Sequence, residues 1–237
     1  MKIAYTISGL YNSGGMERIL TQKANYLAEE LGYDVSVIVT DQDSRPMFFE
    51  VSDRIRVIDL GINYYKAKES ALWHVKKAVL KRRHRAALSE LLHREHFDIV
   101  ISLMDFDFGF LSGIGDGSKK VLEYHFSKYS KVLGETNPLK RWLQKIRVEQ
   151  WYRTAGRYDR FVVLTEEDRR QWGDIGNMEV IPNFITGLPD TVSGCTDRRV
   201  VSVGRADYQK GFDLLIDAWR MVHAEYPDWN LAIVGGE

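Results

Sequence analysis

Cysteine is almost absent from this chain. Cys195 stands alone among 237 residues, so no internal disulfide can form and no multi-cysteine metal site can be built, as fits a reducing cytosol. An excess of charge of either sign is missing too. The 33 lysines and arginines balance 33 aspartates and glutamates, and a formally neutral chain argues against nucleic acid as the main partner. No apolar run approaches the ~18 residues needed to span a bilayer. The first residues read directly as a strand from Lys2, without the cationic start and small-residue cleavage site of a signal peptide. A cytoplasmic location is therefore expected. None of the six histidines has H-x-x-x-H or H-E-x-x-H spacing, and no metal site is expected. Low-complexity tracts and short-period repeats are also lacking.

What is present is an alternation of apolar strands and amphipathic helices. The pattern predicts strands over Ile3–Ser8, Val35–Thr40, Ile55–Leu60, Asp98–Leu103, Lys120–Tyr124 and Arg160–Leu164. It predicts helices over Gly15–Leu31 (closed by Gly32), Lys68–Arg94, Pro138–Thr154 and Glu166–Trp172. Val180 and Ile181 read as the start of a crossover. Such alternation predicts an α/β fold with a parallel, Rossmann-like sheet covered on both faces. The stretch from Pro182 to Arg198 holds two of the five prolines and two glycines and reads as a linker. Residues 1–182 are then an N-terminal domain, residues 183–198 the linker, and residues 199–237 the start of a second domain. That last part has a strand at Val200–Val203, a helix at Phe212–Tyr226 and a strand at Leu231–Val234. One βαβ unit cannot cover both faces of its sheet, so the second domain is expected to be incomplete.

Two strand-to-helix turns carry glycine. A helix that starts behind a strand directs unpaired N–H groups into the crevice, where they suit an anion. At the first turn, Gly14 and Gly15 fit either close approach of a phosphate or sugar, or a tight turn with its helix cap at Ser13. The loop is neither G-x-G-x-x-G nor a Walker loop. The second turn adds Arg205 and Lys210, which suit a diphosphate leaving group, or else are solvated surface cations. His125 follows the strand VLEY, where an imidazole can donate to a substrate or exchange a proton. The other five histidines read as structural. Asp105 and Asp107, also at a strand end, read as a polar turn or as ligands of an acceptor or cation. The segment Lys66–Glu95 has nine cations against three glutamates, and Leu139–Arg157 is basic and aromatic. One reading is peripheral contact with an anionic membrane or a lipid-phosphate acceptor. The other, favoured by the need to cover a sheet, is solvated helices packed through faces such as Leu72, Val75, Val79 and Ala86.

Taken together, the opening strand with SGGMER, the run FVVLTEEDRRQW, the segment VIPNF, and VGRADYQKGFDLLIDAW…PDWNLAIVGGE resemble the retaining GT-B glycosyltransferases of family four. The resemblance implies two Rossmann-like domains with the active site in the cleft between them. It implies transfer of a sugar, with retention, from a nucleotide-diphosphate donor (UDP- or GDP-linked) to the hydroxyl of a glycan or lipid-linked acceptor, in surface polysaccharide or glycolipid synthesis. It places Gly14 and Gly15 beside the donor diphosphate, makes Arg205 and Lys210 the cationic pair that stabilises the leaving nucleotide, and makes His125 the active-site histidine. No metal or other cofactor is implied. The family's acidic E-x7-E motif would lie beyond Glu237, so the resemblance implies truncation within the C-terminal domain and little activity for this chain alone. Two alternatives are a non-catalytic sugar- or lipid-binding or interaction module, and a nucleotide-sugar epimerase.

Overall fold

β-Branched residues concentrate in the first two strands, β1 (Lys2–Ile7) and β2 (Asp34–Val39), and five of the six residues in each are buried. Such runs belong in a parallel sheet covered on both faces. The computed structural model describes residues 1–129, 136–173, 175–185, 187 and 190–235. The chain divides into two units, Met1–Phe184 and Ile185–Glu237.

The first unit is built on a seven-stranded sheet in the order β3-β2-β1-β4-β5-β6-β7. Its further strands are β3 (Arg56–Asp59), β4 (Ile99–Ser102), β5 (Lys119–Tyr124), β6 (Arg160–Val163) and β7 (Met178–Val180). Every neighbouring pair is parallel. The order reverses between β1 and β4, and such a switch point opens a crevice at the carboxyl ends of the strands. One face is covered by α1 (Gly15–Glu29), whose Leu20, Ala24 and Ala28 join Ile3, Tyr5 and Val37 in one core. The opposite core takes Leu88, Leu91 and Leu92 from α3 (Trp73–Glu95), Ala155 from α4 (Pro138–Ala155) and Trp172 from α5 (Glu166–Trp172).

Three sequence expectations differ from this structure. Val180 closes β7, an edge strand paired with β6, where a crossover was expected. Three residues beside Pro182 are too short a run to stand out by pattern. The expected helix Lys68–Arg94 is broken into a short helix, α2 (Tyr64–Lys68), and α3. Between them Ser70 Oγ accepts the Leu72 amide at 3.3 Å, a local side-chain bond that competes with helical pairing. The apolar face Leu72, Val75, Val79 and Ala86 does not pack on the sheet; all four are exposed, and His84, Leu88, Leu91 and Leu92 are buried in their place.

The second unit contains β8 (Arg199–Val203), a 3-10 turn at Tyr208–Lys210, α6 (Phe212–Glu225) and β9 (Asn230–Val234). β8 and β9 pair in parallel.

Candidate functional site

The carboxyl ends of β1, β4 and β5 gather the polar groups of the first unit. After β1, the loop Ser8–Ser13 leads to α1, whose cap is Gly14 in extended geometry. Ser13 does not cap it; no side chain does. The first helical bond is donated by the Arg18 amide to the Gly14 carbonyl at 3.0 Å, so the amides of Gly15, Met16 and Glu17 precede the helical ladder. Nothing lies within 4 Å of where a side chain on Gly15 would begin, whereas a methyl group on Gly14 would run into the Glu17 carboxylate. Glu17 is itself buried in the first turn and accepts from Asn12 Nδ2 at 3.1 Å.

At the end of β5, His125 Nε2 lies 3.3 Å from Glu123 Oε2, and the imidazole side chain is only 7% exposed. Lys23 of α1 donates to both Glu123 oxygens, at 2.9 and 2.8 Å. Burial pushes the Glu123 carboxyl up, but the His125 hydrogen bond and the Lys23 charge outweigh it and hold the group below its ordinary value. α1 is thus tied to the strand end that carries His125. Sequence reading missed both Glu123 and Lys23; the available signal was an acid inside the otherwise apolar strand VLEYH.

At the end of β4, Met104 takes a positive φ of 55°, and the chain turns so that both aspartates point inward. Thr6 Oγ1 donates to Asp107 Oδ2 at 2.7 Å. Asp107 is fully buried, which raises its carboxyl to about 6 against the Thr6 hydrogen bond. Burial also raises Asp105, while hydrogen bonds from Ser8 and the Phe106 amide oppose it. Thr6, Thr40, His84, Asp105, Phe106 and Asp107 line a small cavity with Ile7 and Ile38. His84 is buried there, which lowers it to about 4, with Tyr64 Oη 3.2 Å from its Nδ1. Beside them Asp41, after β2, accepts from the Tyr65 amide at 2.8 Å and from Thr40 Oγ1 at 2.7 Å. Burial raises this carboxyl too. The polar-turn reading of Asp105 and Asp107 understated their burial, and His84 was not expected to share a cavity with them.

In the second unit, Arg205 and Lys210 are exposed on the loop after β8. Gly204 is closely approached: a Cβ there would meet Phe212 Cζ at 3.2 Å and the Lys210 stem at 3.3 Å. Lys210 is therefore laid against the strand end by its own aliphatic part. Gly211, with φ 60°, turns the chain into α6. Among the described residues, no group of three or more His, Cys, Asp or Glu side chains could hold a metal ion.

Comparison with known proteins bears on both units. Residues 13–186 match the family described as Glycosyltransferase Family 4, and residues 190–237 match Glycosyl transferases group 1. An uncharacterized glycosyltransferase of Haemophilus influenzae is 31% identical over 240 residues, covering 99% of this chain and 62% of that protein. The chain thus spans under two thirds of that relative's length. Among solved structures, sucrose-phosphate synthase from Thermosynechococcus elongatus superimposes with a TM-score of 0.70 at 19% identity, over all of this chain and 62% of that one. S. aureus TarM, in complex with fondaparinux, alpha-GlcNAc-glycerol and UDP, gives 0.67 at 12% identity, over all of this chain and 72% of that one. At such identities these likenesses speak for the GT-B fold.

Proposed function

The chain belongs to glycosyltransferase family 4, and from that premise we propose that it takes a sugar from a nucleoside-diphosphate donor and passes it to an acceptor hydroxyl with retention of configuration. The family match across both units carries this reading. Arg205 and Lys210 neutralise the diphosphate as the bond between sugar C1 and phosphate oxygen breaks. The acceptor oxygen forms the new bond to C1, and its proton passes to the departing phosphate. The amides of Gly15, Met16 and Glu17, which precede the helical ladder, suit an anionic group of the donor. His125, its Nε2 held by Glu123, meets the donor sugar. These cations and the helix dipole make a metal ion unnecessary. We assign the donor to the UDP- or GDP-linked class, a choice supported by the UDP in the TarM complex. The acceptor is a glycan or lipid-linked hydroxyl of surface polysaccharide or glycolipid synthesis.

Calorimetric titration with UDP and with GDP tests the proposal on the parent chain and on Arg205→Ala/Lys210→Ala. One nucleotide is expected to bind the parent at least tenfold more tightly than the double variant. Equal binding by the two proteins, or no binding of either nucleotide by a folded parent chain, would remove these cations as a donor site.

A further inference from the structure

α3 has 23 residues and is about 34 Å long at 1.5 Å per residue, whereas β4, which follows it, has four residues and is about 13 Å long. A crossover helix runs antiparallel to its strands, so its first half begins at the carboxyl edge of the sheet. In α3 burial starts only at His84, and in α4 only at Val148. The first halves of both helices therefore stand beyond the same edge and, by their shared core, over the same face.

Both free halves carry a second apolar stripe. Leu72, Val75 and Val79 on one, and Leu139, Trp142, Leu143 and Ile146 on the other, are each between 39% and 66% exposed. Their spacing is that of one helix face. Val79 and buried Leu88 lie nine residues apart, two and a half turns, and so point in opposite directions. Leu139 and Val148, and Ile146 and Ala155, are nine apart as well. Each helix is thus apolar on two opposed sides, and the sheet uses only one.

The charge between the stripes has one sign. Residues 73–89 contain six lysines and arginines and no acid, and residues 138–148 contain four and no acid. Lys77 lies over the Trp73 ring at 5.6 Å, and among the described residues no ion pair engages the other nine. Cations in the first turn of a helix, here Lys76 in α3 and Lys140 and Arg141 in α4, oppose its dipole. α1, α5 and α6 obey the usual rule, with acids in the first turn, and α3 and α4 have none there. The first-turn cations therefore gain nothing from the helix ends on which they sit.

We propose that the first halves of α3 and α4 form one docking surface for an anionic lipid bilayer, with the exposed stripes inserted among the acyl chains and the cations at the headgroups. An aliphatic stripe of Leu, Val and Ile is what separates this surface from a nucleic-acid site, where stacking and phosphate contacts suffice.

Co-sedimentation of the chain with vesicles tests it, using phosphatidylglycerol-containing and pure phosphatidylcholine membranes at low and high salt. The expected result is partition onto the anionic vesicles only, weakened by salt. Lys140→Gln/Arg141→Gln/Lys145→Gln/Arg147→Gln, Trp142→Ser/Leu143→Ser and, on α3, Val75→Ser/Val79→Ser should each reduce it about tenfold or more, with thermal melting unchanged because every position is exposed. Absence of partition by the parent overturns the proposal, as does partition kept by the stripe variants. Duplex nucleic acid bound as tightly as vesicles, and still bound by Trp142→Ser/Leu143→Ser, would show a general polyanion site and overturn it too. Sensitivity confined to α4 would refute a surface shared by both helices.

Discussion

Asp107 and His84 share one cavity, and burial moves them in ways that oppose each other in pH. The Asp107 carboxyl rises from 3.8 to about 6 in the folded chain. Between these values the native state holds more protons than the unfolded state, so stability falls as pH rises, by about 3 kcal/mol in all. His84 drops from 6.5 to about 4. There the unfolded state holds more protons, so stability rises with pH across nearly the same window, again by about 3 kcal/mol. The two nearly cancel in the parent. Asp107→Asn, which keeps an acceptor for Thr6, should match the parent near pH 4 and exceed it by up to about 3 kcal/mol above pH 6. His84→Gln should show the opposite trend, its stability relative to the parent improving as pH falls from 6.5 to 4. Urea unfolding followed by far-UV circular dichroism over that range supplies the difference curves. Difference curves flat in pH, or an Asp107→Asn chain less stable than its parent at neutral pH, would refute the reasoning.

Other outcomes follow from the α1 contacts. Lys23→Ala leaves the buried Glu123 with His125 as its remaining side-chain partner and should lower stability by about 1–3 kcal/mol. Because the folded Glu123 carboxyl sits below its ordinary value, its stabilising contribution is present above that value and lost on acidification. The variant should therefore flatten the acid limb of a urea-unfolding series. Gly15→Ala has open space and should change the melting free energy by less than about 0.5 kcal/mol, yet weaken nucleotide binding in calorimetry. Gly14→Ala must displace the Glu17 carboxylate and its bond to Asn12, and should cost about 1 kcal/mol.

The strands with β-branched runs were legible, as was the parallel sheet, because a doubly covered strand has nowhere to put polar residues. β7 was not legible, since Met178–Val180 has the length of a turn. The break between α2 and α3 rests on the Ser70 side chain, without a glycine or proline to announce it. The placement of His125 at a strand end could be read from sequence, but its link to Lys23 could not, because the two lie 102 residues apart and meet only through the sheet order. The apolar residues at the start of α3 misled for a related reason. Helical spacing identifies a stripe but not which of two opposed stripes faces the sheet.

The sheet order also has a consequence for synthesis. β1 pairs with β2 and β4, with Ile3 opposite both Val35 and Ile99. Its first neighbour is complete at Val39 and its second at Ser102. At 5–20 residues per second the ribosome takes roughly 3–13 s to make the intervening segment. β3 joins the far side of β2 at Asp59, but throughout that interval the other edge of β1 stays open, and an open edge invites foreign strands. The central position of β1, which later gives the protein its switch point, makes its earliest segment the one that waits longest for a partner.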